Sequence, residues 1–146
     1  MEPFKIISKC EEETSKLAAE LAAKLPRGTV IALYGDLGVG KTAFVRGFTS
    51  TVAPSARVKS PTFALVNEYR GEKTSVFHFD MYRITDEDEL YSIGFYDYLD
   101  RNGICLVEWS ENIEYALPEK FLSVEITKCS QDDVDMRNIS ISAEQY

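Results

Sequence analysis

The chain has 146 residues and a mass of 16.5 kDa, with 45% hydrophobic and 27% charged residues, a composition that fits an ordinary folded domain and excludes disordered, collagen-like and membrane-spanning classes. Lys plus Arg number 16 against 24 Asp plus Glu, a net charge of −8, so the whole-chain field repels polyanions and direct gripping of RNA or DNA is not expected. No apolar run reaches the roughly 18 residues of a membrane span, and the start, Met1-Glu2-Pro3-Phe4-Lys5, has no basic leader region, which predicts a cytoplasmic protein with no membrane association.

With no repeat, linker or low-complexity tract, residues 1–146 read as one domain. Phe4 to Ile7 is a predicted strand, and Ser8 is a candidate cap for a helix in which Leu17, Leu21 and Leu25 recur every four residues, ended by Pro26 and Gly28. Val30 to Tyr34 is short, apolar and rich in strand formers, the pattern of a strand buried on both faces. Gly35 to Thr42 follows as a tight loop, and Lys41 to Val52 is a predicted helix with Phe44, Val45 and Phe48 on its inner side. Ala64 to Tyr69 and Ser75 to Asp80 flank a five-residue connection and predict a hairpin. Asp86 to Ile93 and Phe95 to Asp100 read as two short helices broken at Gly94, and Ile104 to Val107 as another buried strand. Phe121 to Thr127 and Asn138 to Ile141 predict a terminal antiparallel pair around the polar Ser130-Gln131-Asp132-Asp133 turn. Three cysteines at wide spacing and a single histidine support neither a disulfide framework nor a zinc site, so Cys10, Cys105 and Cys129 are expected to pack.

Gly35-Asp36-Leu37-Gly38-Val39-Gly40-Lys41-Thr42 fits the phosphate-loop pattern G-x-x-x-x-G-K-[ST], and it sits between a predicted strand and a predicted helix, the context that the pattern requires. The glycines let successive backbone N–H groups face a β-phosphate, and the helix N-terminus adds partial positive charge. Lys41 is then expected to reach the β- and γ-phosphates, and the Thr42 hydroxyl to ligate a magnesium ion that bridges them. The expected fold is therefore α/β of the P-loop NTPase type: a mixed sheet, parallel at its centre, with flanking helices and antiparallel hairpins.

Such a site also needs an acid at the end of a neighbouring buried strand. Glu108 follows four apolar residues and is assigned to the magnesium shell; Asp80 follows Val76-Phe77-His78-Phe79 and is assigned to the attacking water or a metal-bound water, the two roles being interchangeable on sequence alone. Ser60 and Thr62 lie on a segment after the P-loop helix, where a sensor of the γ-phosphate would sit. Thr14, at the start of the first helix, is a candidate to approach the base. His78, a lone histidine in an apolar strand, reads more readily as a satisfied core residue than as a catalyst. Arg83 is placed equally well to face phosphate, a partner or an ordinary surface acid, and Trp109 is expected to pack beside the metal site.

These residues resemble the TsaE family of small P-loop ATPases required for making threonylcarbamoyl-adenosine in transfer RNA. The resemblance rests on residues 35 to 42, on Ser60-Pro61-Thr62-Phe63, on His78-Phe79-Asp80-Met81-Tyr82-Arg83 and on Val107-Glu108-Trp109-Ser110-Glu111, in that order. Ala43 departs from it, since the family often has a second threonine there. The resemblance implies magnesium-dependent ATP hydrolysis serving the cycle of a TsaD and TsaB transferase complex, contact with tRNA only through that complex, no DNA, and a position near the nucleotide for Arg137. From the residues alone the rival is a small nucleoside-kinase-like phosphotransferase, although only Arg70, Arg83 and Arg101 lie between residues 60 and 110 and no long insertion is there to form a lid. A GTPase is disfavoured because Thr127-Lys128-Cys129-Ser130 lacks the final acid of a guanine-reading element.

Overall fold

The computed structural model describes residues 3–35, 40–59, 61, 65–129 and 135–145. Seven strands form one sheet in the order β1-β7-β6-β2-β5-β4-β3. Strands β2 (Val30–Tyr34), β4 (Ser75–Asp80), β5 (Ile104–Glu108) and β6 (Lys120–Lys128) are mutually parallel and occupy the centre. Antiparallel neighbours close both sides: β3 (Val66–Arg70) against β4, and β7 (Arg137–Gln145) against β6 with β1 (Phe4–Ser8) outside it. This is the mixed, centrally parallel sheet that the sequence predicts.

Alternation along β2 sorts its side chains to two cores. Ile31 and Leu33 join Phe44, Phe48, Leu106 and Leu21 beneath helices α1 (Glu11–Ala22) and α2 (Lys41–Val52). Val30 and Ala32 join Phe77, Phe79, Val107, Leu90 and Phe95 on the opposite face, where α3 (Glu87–Ile93) and α4 (Phe95–Asp100) meet at Gly94. A parallel strand covered on both faces has to be apolar throughout, which explains the unbroken runs in β2 and β5.

The first helix differs from its expectation at both ends. Its N-cap is Cys10, which contributes no side-chain cap, while Ser8 turns its hydroxyl to the Cys10 carbonyl at 2.8 Å and to the Thr14 hydroxyl at 2.7 Å. Acids take over the capping work: Glu11, Glu12 and Glu13 fill the first turn, and the Lys9 N–H donates to Glu13. The helix stops at Ala22, before Leu25; Pro26 has no N–H to bond the Ala22 carbonyl and disfavours helical backbone at Leu25, so the helix does not continue to the third leucine. Leu25 still packs against the core from the turn. The polar 130–133 turn lies outside the described residues. Cys105 is buried in the second core, and burial alone raises its thiol to about 12, whereas Cys10 and Cys129 are partly exposed free thiols.

Helices α1 and α2 cross with almost no space at Gly47. A Cβ there would lie 2.1 Å from the Ser15 carbonyl oxygen, a backbone atom that cannot move without shifting α1. Gly47→Ala is expected to cost about 2 kcal/mol or more and to lower the melting temperature by several degrees, as calorimetry would read; an unchanged melting temperature would contradict the close crossing. Thiol titration of the native protein is expected to modify Cys10 and Cys129 within the assay and Cys105 only after denaturant is added; fast native labelling of all three would contradict the burial of Cys105.

Candidate functional site

Because β2, β4 and β5 run parallel, their C-terminal ends share one edge of the sheet, the edge at which α/β folds bind ligands. Leu33 of β2 is level with Glu108 of β5, and Glu108 is level with Asp80 of β4. Two carboxylates therefore stand on adjacent strand ends, beside the strand that leads into the glycine-rich loop.

Helix α2 starts at the same edge. Its N-cap, Gly40, has φ of 100°, a left-handed conformation that strains a residue with a side chain. Lys41, the first helical residue, is only 4% exposed, and a buried ammonium is costly without partners. It donates to the Gly35 carbonyl at 2.6 Å and lies 4.2 Å from the Trp109 ring centroid, a cation–π contact. Thr42 follows with its side chain exposed. Residues 36–39, together with Ser60 and Thr62, were expected to bind nucleotide and lie outside the described residues.

The acids differ in environment. Glu108 is 7% exposed, and its Oε2 accepts a hydrogen bond from His78 Nε2 at 2.5 Å. Asp80 is half-buried and accepts the Tyr82 N–H at 3.0 Å. Burial is the main cause that holds the Asp80 carboxyl above its ordinary pKa, and the Glu108 charge adds to it; the Tyr82 amide, His78 and Lys41 pull the other way. Lys41, Asp80, His78 and Glu108 thus share one electrostatic environment.

Trp109 has φ of 60°, which turns the chain directly after Glu108. Its ring lies 4.9 Å from the exposed Tyr82 ring. The Met81 N–H donates to the Glu108 carbonyl, and the Asn112 side chain donates to the carbonyls of Met81 and Tyr82. These bonds lock the exit of β4 to the exit of β5. Arg83 is exposed beyond them.

Thr14 and Arg137 reach the same edge from the other side. Ser8 is level with Arg137 across β1 and β7, and Ser15 donates to the Ala43 carbonyl, seating the start of α1 on the first turn of α2. The Thr14 hydroxyl is buried and hydrogen-bonded with the Ser8 hydroxyl at 2.7 Å, so no open hydroxyl faces the edge from this position. Arg137 is half-buried and donates to the Met136 carbonyl at 2.9 Å.

Sequence spacing missed Tyr69. Its hydroxyl lies 3.2 Å from His78 Nδ1, completing the pair of partners around the histidine; nothing in the pattern of β3 marks it, because only strand register brings the two together. His78 is buried and satisfied, as a core histidine would be, and one of the groups that satisfies it is Glu108. Among the described residues no group of three or more His, Cys, Asp or Glu side chains forms a metal cage. Thr42, Glu108 and Asp80 are hard oxygen donors, a set that fits magnesium shared with phosphates rather than a cage made wholly of protein. No described helix is long and apolar enough to cross a membrane.

The family model described as threonylcarbamoyl adenosine biosynthesis protein TsaE matches residues 8–139. Similar proteins include the tRNA threonylcarbamoyladenosine biosynthesis protein TsaE of Bacillus subtilis, 39% identical over 132 residues that cover 90% of this chain and 80% of the relative. The protein of the same name from Aquifex aeolicus is 45% identical over 109 residues, covering 73% of this chain and 76% of the relative. The crystal structure of Bacillus subtilis YdiB matches with a TM-score of 0.80 and 32% identity, covering 99% of this chain and 87% of that one. The strand, glycine loop and helix with two acids at neighbouring strand ends, matched along nearly the whole chain at these identities, place it: the chain belongs to the TsaE family.

Proposed function

We propose that this chain is a magnesium-dependent ATPase that acts in the cytoplasm in the biosynthesis of threonylcarbamoyladenosine in tRNA. One observation carries the reading: the ammonium of Lys41 and the carboxylates of Glu108 and Asp80 converge at the sheet edge where α2 begins. The relatives' role in tRNA threonylcarbamoyladenosine biosynthesis supports the pathway.

Residues 35–42 wrap the β- and γ-phosphates of ATP. Lys41 exchanges the Gly35 carbonyl and the Trp109 face for phosphate oxygens, moving a charge that is already desolvated onto a stronger partner. Thr42 and Glu108 would hold the magnesium ion, which supplies charge neutralisation at the phosphate oxygens when bound. Asp80 accepts a hydrogen bond from the attacking water and turns its oxygen toward the γ-phosphorus, and its raised pKa strengthens it as a proton acceptor. As the water oxygen bonds to phosphorus, the bond to the leaving ADP oxygen breaks and the water's proton passes toward Asp80. Ser60 and Thr62 sense the γ-phosphate, Arg137 lies near the nucleotide, and Thr14 approaches the base. The cycle serves a TsaD and TsaB pair. The net charge of −8 opposes tRNA, so tRNA is met through those partners.

Lys41→Ala and Thr42→Ala are expected to fold and to lose at least 100-fold in ATP hydrolysis, on the order of a missing transition-state charge contact; turnover equal to wild type in preparations free of contaminating ATPases would refute the site. Glu108→Gln is expected to weaken ATP binding mainly in the presence of magnesium, whereas Asp80→Asn mainly slows hydrolysis at unchanged binding. Calorimetric titration with and without magnesium, beside steady-state rates, separates the two, and the opposite pattern would exchange the roles of the acids.

A further inference from the structure

Glu108 and Lys59 are distant in sequence, and one chain of hydrogen bonds through β4 and β3 ties them together. The chain starts at the Glu108 carboxylate. An ionised carboxylate only accepts, so His78 Nε2 carries the hydrogen in their 2.5 Å bond. The other ring nitrogen, Nδ1, lies 3.2 Å from the Tyr69 hydroxyl. That hydroxyl accepts the Lys59 N–H at 3.1 Å and lies 2.9 Å from the Lys59 carbonyl, which also accepts from the Asn67 side chain at 2.9 Å. Lys59 directly precedes Ser60. Every side chain between the ends is held from both sides: His78 is 1% exposed and Tyr69 is 5% exposed. The register of β3, β4 and β5 supplies the alignment, with Asn67 level with His78 and His78 level with Leu106.

We infer that His78 is a positioning residue, which fixes the rotamer of Glu108 so that the carboxylate is presented to the magnesium-bound nucleotide, with Tyr69 anchoring the ring to the backbone that leads into Ser60. The inference rests on the assignment of Glu108 to the metal side. Without His78, the Glu108 carboxylate would be buried beside the Asp80 charge with no side-chain hydrogen-bond donor among the described residues to orient it, and ligation would have to fix that orientation itself. Partners of this kind behind a ligating group are typically worth 10- to 100-fold in affinity for the ion. Neither His78 nor Tyr69 touches the nucleotide in this scheme, so the cost falls on the magnesium-dependent part of binding and leaves metal-free binding alone.

The two nitrogens of His78 are separable by substitution. Glutamine sets an amide nitrogen at about the reach of Nε2, and asparagine at about the reach of Nδ1. The measured quantity is the ratio of affinities for a non-hydrolysable ATP analogue with and without magnesium, obtained by titration calorimetry on the full chain, with circular dichroism as the check on folding. His78→Gln is expected to keep that ratio within about threefold of wild type, and His78→Asn to lower it about tenfold or more. Tyr69→Phe keeps the ring packing, removes the anchor and is expected to lower the ratio by a smaller factor, which keeps the test alive if His78→Asn does not fold. In a Glu108→Gln background, His78→Asn is expected to add little, because both act on one contact.

A ratio at the wild-type value in folded His78→Asn and Tyr69→Phe, while Glu108→Gln lowers it, overturns the positioning role and leaves the site standing. Losses that add in the double variant show a structural role alone and also overturn it. An unchanged ratio in Glu108→Gln overturns the metal-side assignment and the positioning role with it.

Discussion

Burial of β2 between two parallel neighbours is the constraint from which the rest of the molecule follows. Val30 to Leu33 are covered on both faces, with β6 on one side and β5 on the other, and such a strand tolerates polar groups only where it leaves the sheet. Parallel pairing then makes β2, β5 and β4 leave at the same edge, and it collects the acids that end β5 and β4 there. Glu108 and Asp80 are level with each other for this reason, and α2 begins at the same edge and packs Phe44 and Phe48 with Ile31 and Leu33 of β2.

The cost of gathering charge at that edge is met by pairing within it. Lys41 is enclosed by a carbonyl and an indole face, Glu108 by the sole histidine, and Asp80 by a backbone amide. Each partner satisfies a buried group and holds it at the sheet edge, so the candidate site is ordered by the same bonds that make its burial tolerable. The Trp109 turn is central to this, because a bulky residue at positive φ is sparsely populated and persists only where its surroundings enforce it. Here the Met81–Glu108 backbone bond, the Asn112 side chain and the tilted ring contact with Tyr82 supply that enforcement.

On the other face, the tight crossing of α1 over α2 carries the start of α1 to the same edge. Gly47 admits the Ser15 backbone, Ser15 reaches the Ala43 carbonyl, and Thr14 and Ser8 are thereby brought toward the first turn of α2, level with Arg137. Residues from both termini of the chain thus border the edge that the central strands define.

Most of the elements were legible in the residues themselves. The apolar runs of β2 and β5, the helix from Lys41, the hairpin around Gly71 and the break at Gly94 each follow from local pattern and turn chemistry, which act over a few residues and need no partner. Lys41 at the start of α2 and the acids that end β4 and β5 were legible too, because an apolar run must end somewhere and its end is a sheet edge. The ends of α1 were less so: the Ser8 side chain bonds Thr14 instead of capping the helix, and the helix ends three residues before Leu25. Strand register, by contrast, is a long-range choice that depends on the packing of both faces at once. It alone put Glu108 beside Asp80, His78 against Glu108, and Tyr69 against His78, contacts that span up to 30 residues of chain and leave no period in the sequence.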